Sequence, residues 1–338
     1  MDLAPGLNVF VGRNAQGKTT LLEAVALLAR GRSFRTEETD TLIRRGASRL
    51  RARGVVTNSG HRETALEVEV GPGGRHLRVD GKEVPPRSYL GHLEAVIYSS
   101  DRLKVIHGPM RERRLYIDRA GAALWPSYRK AASDYERILR QRNAALERAG
   151  ADLGVWTDRL VEAAAELRTR RGRYVDRLQG CLRRGLSLAH ERYEVCLRPT
   201  PLATQGEERE RLAQDLLQTR NEERRAGRTL SGPHRDQVRL ELDGEDVAQA
   251  ASSGQARSLL LALALASLEV YREERGTAAV ALLDDLDSEL DAERAMAVCR
   301  QVVAKGQALV TTAHPGWAER LGDLGGVFRV EAGRVQAA

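Results

Sequence analysis

Gly12-Arg13-Asn14-Ala15-Gln16-Gly17-Lys18-Thr19-Thr20 and, far downstream, Ala281-Leu-Leu-Asp-Asp-Leu-Asp-Ser-Glu-Leu-Asp291 decide the fold. The first stretch matches Gly-x4-Gly-Lys-Thr, the phosphate-binding loop, in full. An apolar strand, Leu7–Val11, leads into it, and Thr19–Arg30 follows with Leu21, Leu22, Val25 and Leu28 at helical spacing. In that context Gly12 and Gly17 free backbone N–H groups to close around the β- and γ-phosphates of ATP. Lys18 adds a point charge, and the Thr19 hydroxyl is a ligand for Mg2+. Arg13, Asn14, Ala15, Gln16 and Thr20 complete the nucleotide-contacting loop.

The second stretch is a core strand, Ala278–Leu283, that ends in adjacent carboxylates. Asp284 falls where an aspartate holds the magnesium shell. Asp285 follows it, placed to orient or activate the attacking water. A solvated strand end would read the same way, but not with a complete phosphate loop upstream. Most ABC-type ATPases carry Glu at the second position, and the shorter Asp285 predicts slow turnover.

A third element, Ser252-x-Gly254-Gln255, precedes the helical run Ala256–Val270 and resembles the ABC signature. A serine hydroxyl and a glycine amide at a helix start make an anion site, although an ordinary serine cap has the same composition. In this ATPase class the signature reaches the γ-phosphate held by the opposite subunit. One chain then cannot complete its own site, and ATP should drive formation of a homodimer. Ser288-Glu289-Leu290-Asp291 sits where such proteins place the D-loop, which crosses the dimer interface. His314 falls where a switch histidine would, and a lone histidine there serves equally as a helix cap.

Composition bounds the partners. The 338 residues allow two lobes, and the formal charge of +7 with a pI near 9.6 favours a polyanion. Of 54 basic residues only five are Lys, so arginine carries the charge; its planar fork binds phosphate bidentately. Cys181, Cys196 and Cys299 have no zinc-ligand spacing, which fits unpaired thiols in a reducing cytoplasm. The longest strongly apolar run, Leu259–Ala266, is far short of a membrane span, and Met-Asp-Leu-Ala-Pro is no signal peptide.

Between the nucleotide motifs, Arg49–Val84 alternates apolar and polar residues around Gly71–Gly74 and Asp80-Gly81, predicting antiparallel strands with two hairpin turns. Met110–Arg198 reads as helical and charged, with Leu139, Leu146, Leu160, Leu167 and Leu178 on its apolar faces and a turn at Gly150–Gly154. Thr200–Gly206 reads as a linker. The expected fold class is α/β: an ABC-type ATPase lobe from residues 1–107 and 200–338, with a mixed sheet and an antiparallel β subdomain. A helical second lobe, residues 108–199, is inserted between its halves.

The same chain resembles the RecF family, the bacterial recombination-mediator ATPases. Gly31-Arg-Ser-Phe-Arg-Thr36 is similar to the family's segment after the phosphate-loop helix. Gly108 with Arg113-Arg114-Leu-Tyr-Ile-Asp118 is similar to its next island. Tyr135-Glu-Arg-Ile-Leu-Arg-Gln-Arg-Asn-Ala-Ala-Leu146, Ser231-Gly-Pro-His-Arg-Asp236 and the paired Asp284-Asp285 continue the resemblance along the chain. The helical insertion allows a lobe of only about 40–50 Å at about 1.5 Å per residue, unlike the long coiled coils of SMC-type ATPases.

Three positions depart from the family pattern. Chains of the family open with a further strand and an Asn-Phe-Arg-Asn-like segment well before the phosphate-loop strand; either the start at Met1 is misassigned, or a strand of the ATPase sheet is missing and nucleotide affinity suffers. Ser100-Asp101-Arg102 stands for the family's Pro-Glu-Asp and keeps one acid but no glutamine for sensing Mg2+. His314 is not a strong family feature.

The resemblance implies an ATP-dependent clamp on double-stranded DNA and single/double-strand junctions. It would work with RecR and RecO to help load RecA, with weak DNA-stimulated ATPase activity. Candidate phosphate contacts are Lys104, Arg111, Arg113, Arg114, Arg129 and Lys130, each of which could equally lie on a solvated helix face. Aromatic residues are scarce (Phe 3, Trp 3, Tyr 8), which favours backbone contacts to duplex over stacking on single strands. A transport motor, a small-molecule P-loop kinase or an ATP-glued scaffold shares the phosphate loop, but none accounts for the later islands.

Overall fold

The computed structural model describes residues 1–36, 38–57, 60–148, 152–184, 192–286, 290 and 292–338. Along the chain, β1 (Leu7–Val11) and α1 (Lys18–Arg30) precede β2 (Leu50–Thr57), β3 (Glu63–Gly71), β4 (Gly74–Val79) and β5 (Lys82–Glu83). Then come α2 (Pro86–Tyr89), β6 (Ala95–Tyr98), α3 (Lys104–His107), α4 (Met110–Leu124), α5 (Pro126–Leu146) and α6 (Gly154–Arg183). β7 (Tyr193–Arg198), α7 (Gln205–Ala226), β8 (Gln237–Leu242), β9 (Glu245–Asp246) and α8 (Val247–Ala250) follow. The chain closes with α9 (Ser253–Arg275), β10 (Val280–Leu283), α10 (Ala292–Val303), β11 (Ala308–Thr312), α11 (Pro315–Gly322), β12 (Gly325–Glu331) and β13 (Arg334–Ala337).

Two compact units result, Met1–Leu103 with Arg257–Ala338, and Lys104–Ala256. In the first, a six-stranded sheet among the described residues runs β13-β12-β1-β11-β10-β6. Its pairings are parallel except for the β12–β13 hairpin. Every residue of β1 and β11 is buried, as expected of parallel strands covered on both faces. Phe10, Leu22, Ala26, Ile97, Leu282 and Leu309 form the core beside this sheet, and Phe10 stacks on Phe328 with ring centres 5.3 Å apart.

Helix α1 serves two cores. Its Leu22 and Ala26 join the first, while Leu28 packs with Ala52, Leu66, Val68, Leu77 and Tyr89 beneath the antiparallel sheet β2-β3-β4-β5. Gly31 ends the helix in the left-handed conformation (φ 64°), its N–H donating to the Leu27 carbonyl at 2.7 Å. The two anticipated hairpin turns are present: β3 ends at Gly71 and β4 begins at Gly74. Asp80 and Gly81, at φ 49° and 78°, make the tight turn into β5.

The second unit is not purely helical, and it is larger than expected. Thr200–Ala256 groups with it and not with the ATPase lobe, because α7 packs on α6 and β8 pairs with β7 from Tyr193↔Leu242 to Arg198↔Gln237. The thirty residues of α6 span about 45 Å at about 1.5 Å per residue, burying Leu160, Ala164, Leu167, Tyr174 and Leu178. Helix α7 begins inside the expected linker. Thr204 and Glu207 form a reciprocal capping box there, and Leu212 and Leu216 are the buried apolar anchors of a helix otherwise crowded with charge. Among the described residues no helix is long and apolar enough to cross a membrane, and Cys181, Cys196 and Cys299 form no disulfide.

Candidate functional site

The first unit brings the phosphate loop and the strand-end carboxylates together. Parallel pairing of β1 with β11, and of β11 with β10, sets the ends of these strands side by side. Asp284, 5 % exposed, accepts hydrogen bonds at one carboxylate oxygen from the Thr19 hydroxyl (3.0 Å) and the Thr311 hydroxyl (2.7 Å). The Ser99 hydroxyl reaches its other oxygen at 3.4 Å. Burial pushes the Asp284 carboxyl above its ordinary range; the three hydroxyls oppose this, and the Asp101 charge adds to it. Asp285 sits next to it in the left-handed region (φ 48°), its N–H donating to the Thr311 hydroxyl at 2.8 Å.

Lys18 is buried, and its Nζ donates to the Gly12 and Arg13 carbonyls at 2.9 and 3.2 Å, bracing the loop from within. Arg13, Asn14, Ala15 and Thr20 are exposed, with Ala15 and Gly17 at φ 64° and 102°. Gly12 has no room for a side chain, since a Cβ there would lie 2.2 Å from the Val330 carbonyl oxygen. Gln16 braces the loop from outside. Its side-chain oxygen accepts from the Ala332 N–H (2.7 Å) and its carbonyl from the Gly333 N–H (3.0 Å). The tip of the phosphate loop is thereby tied to the β12–β13 turn.

Ser99, Thr311 and the Ala332-Gly333 turn were not picked out by sequence reasoning. Thr311 did leave a signal, a hydroxyl inside a strand that is otherwise apolar and fully buried; the other two become visible only once β6 and β12 are placed beside the loop.

These residues fit ATP and Mg2+. The loop exposes Asn14 and Ala15, Thr19 and Asp284 offer two adjacent oxygens, and a site of this kind takes its remaining ligands from phosphates and water. Asp101, the one acid kept at the glutamine-loop position, pairs with Arg35 at 2.8 Å with both side chains about half exposed. His314 precedes α11, and its N–H donates to the Thr312 hydroxyl at 3.0 Å. Of the D-loop stretch, Ser288, Glu289 and Asp291 lie outside the described residues.

Ser252, Gly254 and Gln255 belong to the second unit. Ser252 and Gln255 cap each other: the Ser252 hydroxyl accepts from the Gln255 N–H (3.2 Å), and the Gln255 side chain accepts from the Ser252 N–H (2.8 Å). Ser252 and Gly254 are exposed. A Cβ at Gly254 would meet nothing closer than the Ser252 hydroxyl at 3.9 Å, so none of the described residues crowds the position.

The islands of the helical unit turn out to be a buried ionic hub. Asp236 accepts from Arg168 through Nε (3.1 Å) and Nη2 (2.7 Å) and from Arg171 Nη1 (3.1 Å). Arg171 also grips Asp118 at 2.9 Å and the Pro233 carbonyl at 2.8 Å. The Tyr128 hydroxyl donates to Asp118 at 2.6 Å. Arg142 joins Glu223 (2.6 Å) and Thr229 (2.8 Å), while Tyr135 and His234 meet at 2.5 Å. Burial opposes the guanidinium charge of Arg168 and Arg171, yet their carboxylate partners hold both pKa values above the ordinary range. Burial depresses the His234 pKa below its ordinary value.

Two candidate DNA contacts are corrected by this geometry. Arg113 is 2 % exposed and bonded to the Val105, Ile106 and Val238 carbonyls and to Asp246, and Arg114 donates to the Asp236 carbonyl at 2.7 Å. The backbone of α3 and β8 takes up the Arg113 guanidinium, and the carbonyl of Asp236, just before β8, holds the half-buried Arg114. Lys104 and Arg111 flank Glu112, each at 3.8 Å. Lys130 remains exposed beside Asp134. Arg129 is half-buried.

Comparison with known proteins agrees with this architecture. Residues 1–336 match the RecF/RecN/SMC N-terminal domain. The DNA replication and repair protein RecF of Geotalea daltonii is 35 % identical over 86 % of this chain and 82 % of its own length. That of a Synechococcus strain is 37 % identical over 91 % and 85 %. A solved structure of the recombination mediator RecF with ATP superposes with a TM-score of 0.90 at 27 % identity, covering all of this chain and 93 % of that one. The Smc head of Pyrococcus furiosus, 15 % identical and with a TM-score of 0.58, shares the fold, covering all of this chain and 91 % of that one. With its phosphate loop, paired aspartates and helical islands all present, the chain belongs to the RecF family of ABC-type ATPases.

Proposed function

We propose that this protein is an ATP-dependent, dimerising DNA-binding protein of recombinational repair and replication restart. In this reading it closes on duplex DNA at gaps and junctions and works with RecR and RecO to assist RecA loading. The observation that carries the nucleotide part is the 3.0 Å contact between Thr19 and Asp284 at the foot of a phosphate loop braced by Lys18. Bound Mg2+ would supply charge neutralisation for the β- and γ-phosphates, held from the protein side by Thr19 and Asp284. Backbone amides of Gly12–Thr20 cradle the phosphates, and Asp285 orients the attacking water.

The exposed Ser252–Gly254 helix start supports sharing of the site. Glycine is costly at a helix position, and none of the described residues crowds position 254; close approach of a second subunit's γ-phosphate would explain it. The net charge of +7 supports a polyanionic partner, and the relatives named above are DNA replication and repair proteins. Hydrolysis then releases the clamp in the cytoplasm.

Light-scattering mass in Mg-ATP, with and without a short duplex at two salt concentrations, tests the reading. Lys18→Met and Ser252→Arg should stay monomeric, and Asp285→Asn should give a long-lived dimer. DNA affinity should fall with salt by a slope of roughly 0.9 per phosphate contact. An unchanged dimer fraction for Lys18→Met or Ser252→Arg would refute the shared site.

A further inference from the structure

The segment that delivers Ser252 to the surface is short and has little apolar anchorage of its own. It consists of β9 (two residues), the single turn α8 and Ala251, with Val247 buried beneath it. Its fixed point is Asp246. One oxygen of that carboxylate accepts from the Ala248 N–H at 2.9 Å, capping α8, and also from Arg113 Nη2 at 3.3 Å. Arg113 Nη1 approaches the other oxygen at 3.5 Å.

Arg113 is itself immobilised. Its Nη2 donates to the Ile106 carbonyl at 2.9 Å, and Nε and Nη1 reach the Val105 and Val238 carbonyls at 3.3 Å each. A single planar fork thus ties the end of α3, strand β8 and the cap of α8 into one rigid node. Arg114 adds a second tie at the same end of β8, through the carbonyl of Asp236, the residue just before the strand. From Asp246 the chain has one route forward: α8, whose last bond runs from the Ala251 N–H to the Val247 carbonyl (3.2 Å), and then Ser252.

We infer that Arg113 is a positioning residue for the signature serine, acting through Asp246 and α8 to hold Ser252 and Gly254 in register for the phosphate of a second subunit. This rests on the shared-site reading above. Arg113 touches neither nucleotide nor DNA; it sets the place of the residues that do. An ammonium in its place offers donors from one point and cannot span carbonyls on α3 and β8 together with a carboxylate. The inference also explains why an arginine in an island rich in basic residues is withdrawn from solvent.

The test is a double-mutant cycle on the full chain, read as the ATP-dependent dimer dissociation constant and, separately, as the affinity of dilute monomer for a fluorescent ATP analogue. Ser252→Ala and Arg113→Gln should each weaken the dimer roughly tenfold or more, with monomer ATP affinity kept within about twofold. Residues acting as one unit are non-additive, so the double variant should be no weaker than the weaker single.

Arg113→Gln with a normal dimer, while Ser252→Ala is impaired, overturns the inference and leaves the shared site standing. Multiplying losses in the double variant, the behaviour of general destabilisation, also overturn it. A normal dimer for Ser252→Ala overturns the shared-site reading and this inference with it. If Arg113→Gln fails to fold, Asp246→Asn takes its place in the cycle. It keeps an oxygen to cap Ala248 but loses the charge that Arg113 grips, and the same non-additivity is expected.

Discussion

Replacing Asp236 by Asn removes one negative charge from the centre of the helical unit and changes almost no volume. The carboxylate is 1 % exposed, and the guanidiniums of Arg168 and Arg171 that share it are 3 % and 2 % exposed. Breaking such a buried pair costs about 3–5 kcal/mol, because the remaining charge is left in a medium that solvates it poorly. Here Arg168 keeps Glu208 at 3.4 Å and Arg171 keeps Asp118 at 2.9 Å, and Asn still offers one acceptor oxygen, so the lower end of the range applies. A loss of about 3 kcal/mol in a unit of this size lowers Tm by about 6–12 °C.

Thermal unfolding followed by circular dichroism, together with urea unfolding, measures it. Lys130→Ala serves as control: its exposed pair with Asp134 should contribute no more than about 0.5 kcal/mol. A cost for Asp236→Asn below about 1 kcal/mol, accompanied by weakened duplex binding, would refute the assignment of this motif to an internal strut. It would make Ser231–Asp236 a contact surface instead.

Gly12→Ala should abolish ATP binding and destabilise the first unit by about 1–3 kcal/mol, since the new Cβ lies 2.2 Å from the backbone oxygen of Val330, held by β1–β12 pairing. Titration with a fluorescent ATP analogue that gave wild-type affinity would contradict the geometry. The Glu269 carboxyl is held down to about 2, first by its hydrogen bond with Arg272 and then by Lys305, against burial. A folded pKa below the unfolded one means that this contribution is complete above pH about 4.5 and is lost as pH falls through about 2. After allowance for partial exposure, Glu269→Gln should cost about 1 kcal/mol at pH 7. Its gap to wild type in urea midpoint should close between pH 4.5 and 2; a constant gap across that window would show that the ion pair is not the source.

Local order was written in the chain itself. Gly12–Thr20 between an apolar strand and a helix, the apolar run ending at Asp284-Asp285, and Asp80-Gly81 between alternating strands each specify a backbone shape through neighbours a few residues away. The structure reproduces them as β1–α1, the end of β10 and the β4–β5 turn. The family islands were also legible as patterns, but their role was not. Arginine composition is blind to burial, so Arg113 and Arg114 read as phosphate contacts until backbone carbonyls of α3, β8 and Asp236 claimed them. Helix α7 was hidden because its apolar stripe is thin and its buried face includes Glu208 and Glu223, whose partners Arg168 and Arg142 lie on other helices. The unit boundary moved for the same reason, through pairing between β7 and β8.

Periodicity, turn chemistry and a contiguous phosphate loop are short-range properties, and the sequence determined them by itself. Which hydroxyls surround Asp284, where the loop tip rests on the β12–β13 turn and which charges are buried in pairs follow from the three-dimensional fold. Those contacts join residues up to hundreds of positions apart, and their energies depend on burial and distance, neither of which is a property of the linear chain.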